Sequence, residues 1–576
     1  MGNEIAAAAV EVNNVSFTYL GRGGPSLANV DLNIPAGDFL LITGATGCGK
    51  STLLKTFNGL IPHESGGLLT GDVRVEGRNI RDLSVAELSR TVGMMFQSPD
   101  DQIFSTTAAD ETAFILENMG VDFKEIPGRV SEALAWVGLE GMETTSVHAL
   151  SGGQKQRLAL AAVLVAQPRI LALDEPISQL DPQGGAELLR VVYRLNRTRG
   201  ITVVMVEHRL HEVLPLCRHV AVMDSGKIVW QGTRQQAFLQ PEVFVRRGLR
   251  LPQTVDVCRR LGVDVSTASV PGTVAAVRQS YTVPACRAAA ATAPAIDGSG
   301  SGREQPVIEI NGLVFQYEKK GPKILDDISL TIGKGQFVAL MGNNGAGKST
   351  LLNHIGGLLR PVAGQVRVMG KDARQAGCQV GLVLQNPDFM LFNTTVTAEV
   401  AFALRRQNKP GGWAHCRRLI ARLGLNGLED DFPLALSRGQ RLRVAIAAVL
   451  SYQPAVLLLD EPTTGQDIGH IEEVVGLLKE YVTGGGTVIF CTHDTEVAAR
   501  HAGRVVVMTG GRVVADAPPA QIFSRKDLLC SAGLKPPAVL EFARQLYGGT
   551  ALTVEEVVSY VRQDALGSNA VGYLYF

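Results

Sequence analysis

The chain is a tandem duplication, and each copy opens on a turn built to hold phosphate. Gly44–Ala45–Thr46–Gly47–Cys48–Gly49–Lys50–Ser51–Thr52 follows the apolar run Phe39-Leu40-Leu41-Ile42 and precedes the helix-favouring Leu53-Leu54-Lys55. Gly342–Asn343–Asn344–Gly345–Ala346–Gly347–Lys348–Ser349–Thr350 stands in the same place after Phe337-Val338-Ala339-Leu340. Both read strand, glycine-rich turn, helix, with the spacing GxxxxGK[ST]. Successive backbone N–H groups at a helix N-terminus can wrap a polyphosphate, and glycines let the chain come close. Lys50 and Lys348 are placed to reach the terminal phosphates, and the Ser51 and Ser349 hydroxyls to ligate Mg²⁺.

The offset between copies is nearly constant. Lys50 and Lys348 differ by 298 positions (348 − 50), as do Tyr19 and Tyr317 (317 − 19). Further on, Asp174 and Asp460 differ by 286 (460 − 174), and His208 and His493 by 285 (493 − 208). The drop before Gln97 and Gln385 reflects extra residues around His63–Thr70 in the first copy. Two homologous units explain this; two unrelated nucleotide sites do not. Each alternates apolar strands with amphipathic helices, which predicts an α/β core with a largely parallel sheet.

The boundaries fall at composition changes. Residues 1–240 form the first unit, 241–268 a short basic helical appendage, and 269–305 a flexible linker rich in Ala, Val, Thr, Pro, Gly and Ser. Residues 306–525 form the second unit and 526–576 a helical C-terminal appendage, in which Pro537–Leu546 resembles Pro252–Leu261.

Lys plus Arg and Asp plus Glu each number 55, so net charge offers no electrostatic case for nucleic acid or anionic membrane as the main partner. The eight cysteines form no CxxC pair, which leaves reduced thiols as the simplest reading. The start of the chain has no basic lead-in of a signal peptide. Apolar runs such as Val444–Leu450 and Ala455–Leu459 are too short to span a bilayer, so any work at a membrane needs another chain to do the spanning.

Two further patterns surround each phosphate loop. Ile170-Leu171-Ala172-Leu173-Asp174-Glu175-Pro176 and Val456-Leu457-Leu458-Leu459-Asp460-Glu461-Pro462 are buried strands that deliver paired carboxylates. Asp174 and Asp460 suit the metal, and Glu175 and Glu461 suit polarising an attacking water. Upstream lie Ser151-Gly152-Gly153-Gln154 and Ser437-Arg438-Gly439-Gln440, helix starts that can cradle an anion. Alone, each Ser would read as an ordinary N-cap.

Together these motifs resemble the ATP-binding cassettes of ABC transporters over nearly all of both units. The resemblance implies ATP and Mg²⁺ as ligands and makes each unit a P-loop cassette with an antiparallel β subdomain and a helical signature subdomain. It implies that Tyr19 and Tyr317 stack on adenine, and that Gln97 and Gln385 join the metal shell and sense a transmembrane partner. It places Asp181 and Asp467 on the loop that crosses to the other cassette, and His208 and His493 at the γ-phosphate. It also implies a pseudo-dimer, in which each phosphate loop faces the other cassette's Ser-Gly-Gly-Gln segment, closing head to tail on ATP and reopening on hydrolysis. Fusion of the two cassettes raises their effective concentration.

The stretch Phe96-Gln97-Ser98-Pro99-Asp100-Asp101-Gln102-Ile103-Phe104 is similar to the pattern of energy-coupling-factor ATPases, which drive vitamin or metal importers. Leu384-Gln385-Asn386-Pro387-Asp388-Phe389-Met390-Leu391-Phe392 keeps its Pro, Asp and Phe but has Met390 for the Gln. The expected partners are a transmembrane scaffold protein and a substrate-binding membrane subunit, at the cytoplasmic face of the membrane. Two alternatives compete: a tandem-cassette translation factor on ribosomes, and the ATPase of another importer, such as one for sugars. The weakly charged linker disfavours the first and the Pro-Asp-x-Gln-Ile-Phe stretch the second. Arg438, in place of a glycine, predicts that the two ATP sites differ, with the Lys348 site turning over faster.

Overall fold

In the computed structural model, residues 8–21, 23–178, 180–283, 306–319, 321–407, 412–463 and 468–570 are described. The chain divides into two compact units, Met1–Thr273 and Val274–Phe576.

In the first unit, the continuous apolar runs become strands buried along their whole length: Phe39–Gly44, Ile170–Asp174 and Thr202–Val206. Such runs suit a parallel sheet with both faces covered. They pair in parallel with one another and with His219–Asp224 and Val92–Met95, and only the edge hairpin strand Lys227–Thr233 runs antiparallel. The second unit repeats this order with Phe337–Met341 between Thr487–Cys491 and Arg504–Thr509.

A separate antiparallel sheet in the first unit runs Leu27–Pro35, Ala8–Tyr19, Gly67–Val75, Arg78–Asn79. Alternating burial along Leu27–Pro35 puts Leu27, Val30, Leu32 and Ile34 into the core beneath the phosphate loop. Part of the first copy's extra length lies here, where Gly67–Val75 is nine residues long and its counterpart Ala363–Val368 six; more lies between Arg78 and Val92, where the first copy has helix Val85–Ser89. The helical part comprises Ala108–Asn118, Ile126–Trp136 and Gly152–Leu164, with Leu116, Val130 and Leu134 buried. Each unit thus has the expected mostly parallel core, antiparallel sheet and helical layer.

The stretch read as a flexible linker does not begin as one. Val270–Ser280 is a helix, with Val277 fully buried and Val274 5 % exposed. The spacing of these valines gives an apolar stripe that composition alone conceals. Thr254 Oγ1 and Cys258 Sγ donate to the carbonyls of Ala268 and Thr273, which fixes its start on the appendage helix Gln253–Leu261. Residues 284–305 lie outside the described residues.

Helices Gln253–Leu261 and Ala538–Tyr547 both follow a proline and end on a left-handed glycine, Gly262 and Gly548, so the appendage is duplicated with its unit. Phe542 is fully buried in the second. Phe542→Ala is therefore expected to cost about 3–5 kcal/mol by urea denaturation; a loss below about 1 kcal/mol would show the appendage packs loosely.

Candidate active site

Parallel register brings the motifs of the first unit to one edge of the sheet. Ile42 pairs with Val206, and Asp174 pairs with Val206 from the other side. The next residues of all three strands therefore emerge together: the phosphate loop, Glu207 with His208, and Glu175. The carboxyl end of such strands is where α/β sheets bind ligands.

The loop has little freedom. Gly49 has φ +104°, and a Cβ there would lie 2.4 Å from the Ser26 carbonyl oxygen; Gly347 has φ +94° and would meet the Ile324 carbonyl at 2.9 Å. Helices Lys50–Phe57 and Lys348–Ile355 start directly at the lysines. Lys50 Nζ donates to the carbonyls of Gly44 and Ala45, both at 2.9 Å, and Lys348 Nζ to those of Gly342 and Asn343 at 2.8 and 3.0 Å. A lysine so placed need only exchange loop carbonyls for phosphate oxygens.

Asp174 and Asp460 are buried, and burial pushes both carboxyls up, Asp174 to about 6, against the hydrogen bonds from Ser51 and Ser349. In each, Oδ1 is buried without a hydrogen-bond partner. An orphaned carboxylate oxygen beside a loop serine fits a hard cation that keeps most of its other ligands as water and phosphate.

The next residue is bent out of line. Glu175 and Glu461 have φ of +48° and +51°. Such conformations cost about 1–3 kcal/mol each in non-glycine residues, and the same strain recurs in both copies. It turns the side chain off the strand direction. Glu175 Oε2 accepts from Gln97 Nε2 at 2.6 Å, and Oε1 lies 2.9 Å from His208 Nε2. Glu461 Oε2 lies 2.9 Å from His493 Nδ1, whereas Gln385 is exposed. The first unit therefore gathers Gln97, Glu175 and His208, and the second Glu461 and His493.

Tyr19 and Tyr317 lean over the helix that follows the loop, their hydroxyls 3.3 and 3.4 Å from Thr52 and Thr350 Oγ1. Ser151 and Ser437 begin helices Gly152–Leu164 and Arg438–Ser451, each forming a reciprocal cap with Gln154 or Gln440. Ser151 and Gln154 make no bond to the Lys50 group among the described residues. A Cβ at Gly152 would meet nothing within 4 Å, so Arg438 needs no backbone change in the second copy. Asp181 caps helix Pro182–Arg199 through the Gly184 N–H at 2.7 Å, while Asp467 lies outside the described residues.

Sequence reasoning missed Glu207. It is 1 % exposed, and burial, reinforced by the Glu175 charge, raises its carboxyl to about 7. A signal was present: Glu207-His208-Arg209 stands where the second copy has Thr492-His493-Asp494. Also missed were the ion pairs from the segment after the glutamine to the Ser-Gly-Gly helix, Asp100–Lys155 at 2.7 Å and Asp388–Arg441 at 2.8 Å.

A family model described as "ABC transporter" matches residues 27–178 and 325–464. The chain belongs to the ABC transporter family. Among curated relatives, a protein of Methanosarcina mazei described as an ABC transporter ATP-binding protein is 41% identical over 572 residues, covering 97% of either chain. One of Methanosarcina acetivorans with the same description is 41% identical, covering 95% of this chain and 90% of its own. Among solved structures, cbiO1 from Clostridium perfringens, part of the ABC transporter complex cbiONQ, is 32% identical over 44% of this chain and 99% of its own, with a TM-score of 0.38. This ABC protein is an ATP-binding, ATP-hydrolysing subunit of a transporter. Among its described residues no helix is long and apolar enough to cross a membrane.

The raised Glu207 carboxyl carries a sign for stability. Its folded pKa lies above the ordinary value of 4.5, so its contribution is fully present below that value and is lost as pH rises through about 7. Thermal unfolding between pH 5.5 and 8 should therefore cost the wild type a few degrees more than Glu207→Gln; equal losses would place the carboxyl in water.

Proposed function

We propose that this chain powers an importer of the energy-coupling-factor type, for a vitamin or transition metal, from the cytoplasmic face of the membrane. The observation that carries this reading is an exposed aromatic step beside the Gln97 segment, present in both units. Phe104 is 64% exposed and packs edge-on against Phe114; Phe392 is 64% exposed and packs edge-on against Phe402. Buried Glu111 and Glu399 hold these turns by accepting the N–H groups of Phe104 and Ser105, and of Phe392 and Asn393. Water-facing phenylalanines on a braced turn suit the helix of a partner protein.

The Pro-Asp-x-Gln pattern takes on a physical meaning here. Gln102 Oε1 accepts the Phe96 N–H at 3.2 Å, and Met390 Sδ takes the Leu384 N–H, also at 3.2 Å. Both residues brace the loop from within, so Met390 leaves the second docking turn in shape. Asp100 and Asp388 pair with Lys155 and Arg441. They tie the docking turn to the helix that starts at the Ser-Gly-Gly segment. Movement of a docked membrane helix would reach that segment through this tie.

In this reading ATP sits on each phosphate loop, with Tyr19 or Tyr317 against adenine. Ser51, Asp174 and Gln97 would hold Mg²⁺ in the first site, and Ser349, Asp460 and Gln385 in the second; the ion neutralises charge on the phosphates. Glu175 and Glu461 orient and polarise the attacking water, and His208 and His493, beside them, steady the γ-phosphate. Ser151–Gln154 completes the Lys348 site and Ser437–Gln440 the Lys50 site, as the family's head-to-tail closure implies. Arg438 then lies opposite the first site, and the Lys348 site turns over faster. Glu461→Gln should reduce ATPase at least fivefold more than Glu175→Gln; equal losses would refute the asymmetry.

Co-purification tests the importer itself. Small hydrophobic membrane proteins should come down with the wild-type chain, and the paired change Phe104→Asp, Phe392→Asp should cut their yield about tenfold while leaving basal ATPase within twofold. Recovery of ribosomal RNA in their place would favour the translation-factor alternative.

A further inference from the structure

The two residues that bracket His208 hold the loop after the acidic strand at both its ends. Glu207 Oε1 accepts the N–H of Ile177 at 3.1 Å, and its Oε2 accepts those of His208 and Arg209 at 3.0 and 3.4 Å. Arg209 reaches the same loop from the other side of His208, donating from Nη2 to the Leu180 carbonyl at 2.9 Å and from Nη1 to Glu212 at 3.2 Å. Ile177 and Leu180 are buried and flank the turn between Glu175 and the Asp181 cap. Within that turn Ser178 Oγ donates to the Glu175 carbonyl at 2.9 Å. One ionisable residue on each side of the histidine thus fixes one end of the turn that follows Glu175.

Among the described residues the second copy is built differently here. Thr492 stands for Glu207, and its hydroxyl meets that of Thr463 at 3.3 Å and accepts the Asp494 N–H at 3.0 Å. Asp494 stands for Arg209, and its carboxylate turns to its own helix, accepting the N–H groups of Glu496 and Val497. The fold therefore tolerates a small hydroxyl at this place. A buried carboxyl facing Glu175 is costly to keep, because the two like charges oppose each other and water is excluded. Hydrogen bonds from three backbone N–H groups and the nearby Arg209 charge offset that cost.

We propose that Glu207, with Arg209, is a positioning clamp of the first ATP site. It sets the backbone of His208, Ile177 and Leu180 so that His208 and Glu175 stay within 2.9 Å of each other. Glu207 touches neither nucleotide nor water in this role; it acts through the residues that do. This rests on the site assignment proposed above. Removing the clamp loosens the catalytic geometry and leaves the phosphate loop, and so ATP binding, intact.

The test uses the full chain carrying Glu461→Gln, so that the remaining turnover reports the Lys50 site, and adds to it Glu207→Ala, Glu207→Gln, Arg209→Ala or Glu175→Gln. Steady-state ATPase and amide hydrogen exchange are read together. Glu207→Ala should lower kcat about tenfold with KM for ATP within twofold, and speed exchange about tenfold in peptides covering 177–181 and 207–210 but not in those covering 492–495. Glu207→Gln keeps the volume and one acceptor oxygen, so it should fold even where Glu207→Ala does not, and should fall between Glu207→Ala and the Glu461→Gln chain itself in both measurements. Glu175→Gln is the reference. Turnover that survives Glu175→Gln overturns the site assignment and the clamp with it. Turnover lost in Glu175→Gln but kept within twofold in both Glu207 variants, or exchange unchanged in them, overturns the clamp alone.

Discussion

Everything chemical in this protein depends on how three strands stop. Phe39–Gly44, Thr202–Val206 and Ile170–Asp174 pair in parallel and in register, so the residues that follow them leave the sheet at one level. Parallel pairing allows this because all the carboxyl ends share one edge, whereas antiparallel strands would scatter them. The loop lysine, the metal-suited aspartate, the bent glutamate and the histidine all lie at or just past that edge. The hydrophobic core serves the same end: strands buried along their whole length hold the sheet between covering layers and keep this edge in place.

Duplication shows which parts of that arrangement are physically demanded. The left-handed backbone at Glu175 and Glu461, the lysine bonds to the loop carbonyls and the unpartnered Asp oxygens recur in both units. Strain that appears twice at the same functional place is part of the site's design. Other features keep their role while changing their atoms. Lys155 and Arg441 supply the same ion pair, and Gln102 and Met390 the same brace. A third group has diverged in kind. Glu207 and Arg209 clamp a turn where Thr492 and Asp494 make smaller local bonds, and Arg438 adds charge where Gly152 has none.

The route proposed from a membrane partner to ATP can be traced bond by bond. Exposed phenylalanines sit on turns whose backbone is tied to buried Glu111 and Glu399, and the helices that carry these glutamates pack on the helices that start at Ser151 and Ser437. The Asp100–Lys155 and Asp388–Arg441 pairs cross from turn to helix. Such pairs add little stability while partly exposed, on the order of 1 kcal/mol or less. Their value is directional, since they let one element follow another.

Much of this was written in the residues themselves. The glycine spacing, the apolar runs ending in Asp-Glu and the fixed offset between copies define the fold, the duplication and most candidate site residues, because backbone conformation and burial follow local patterns. Three matters were not local. The Val270–Ser280 helix hides in a linker-like composition, since only folding shows that Val274 and Val277 are buried. Asp100 looks like a surface acid until folding brings Lys155 to it from 55 residues away. Glu207 looks like a neighbour of a histidine, and only tertiary structure lays it against Glu175 and beneath Ile177. Periodicity and motif spacing, in short range along the chain, determined the sheet and its phosphate loops. Which charges meet across that sheet was decided by register and burial, because strands distant in sequence become neighbours only when the core closes.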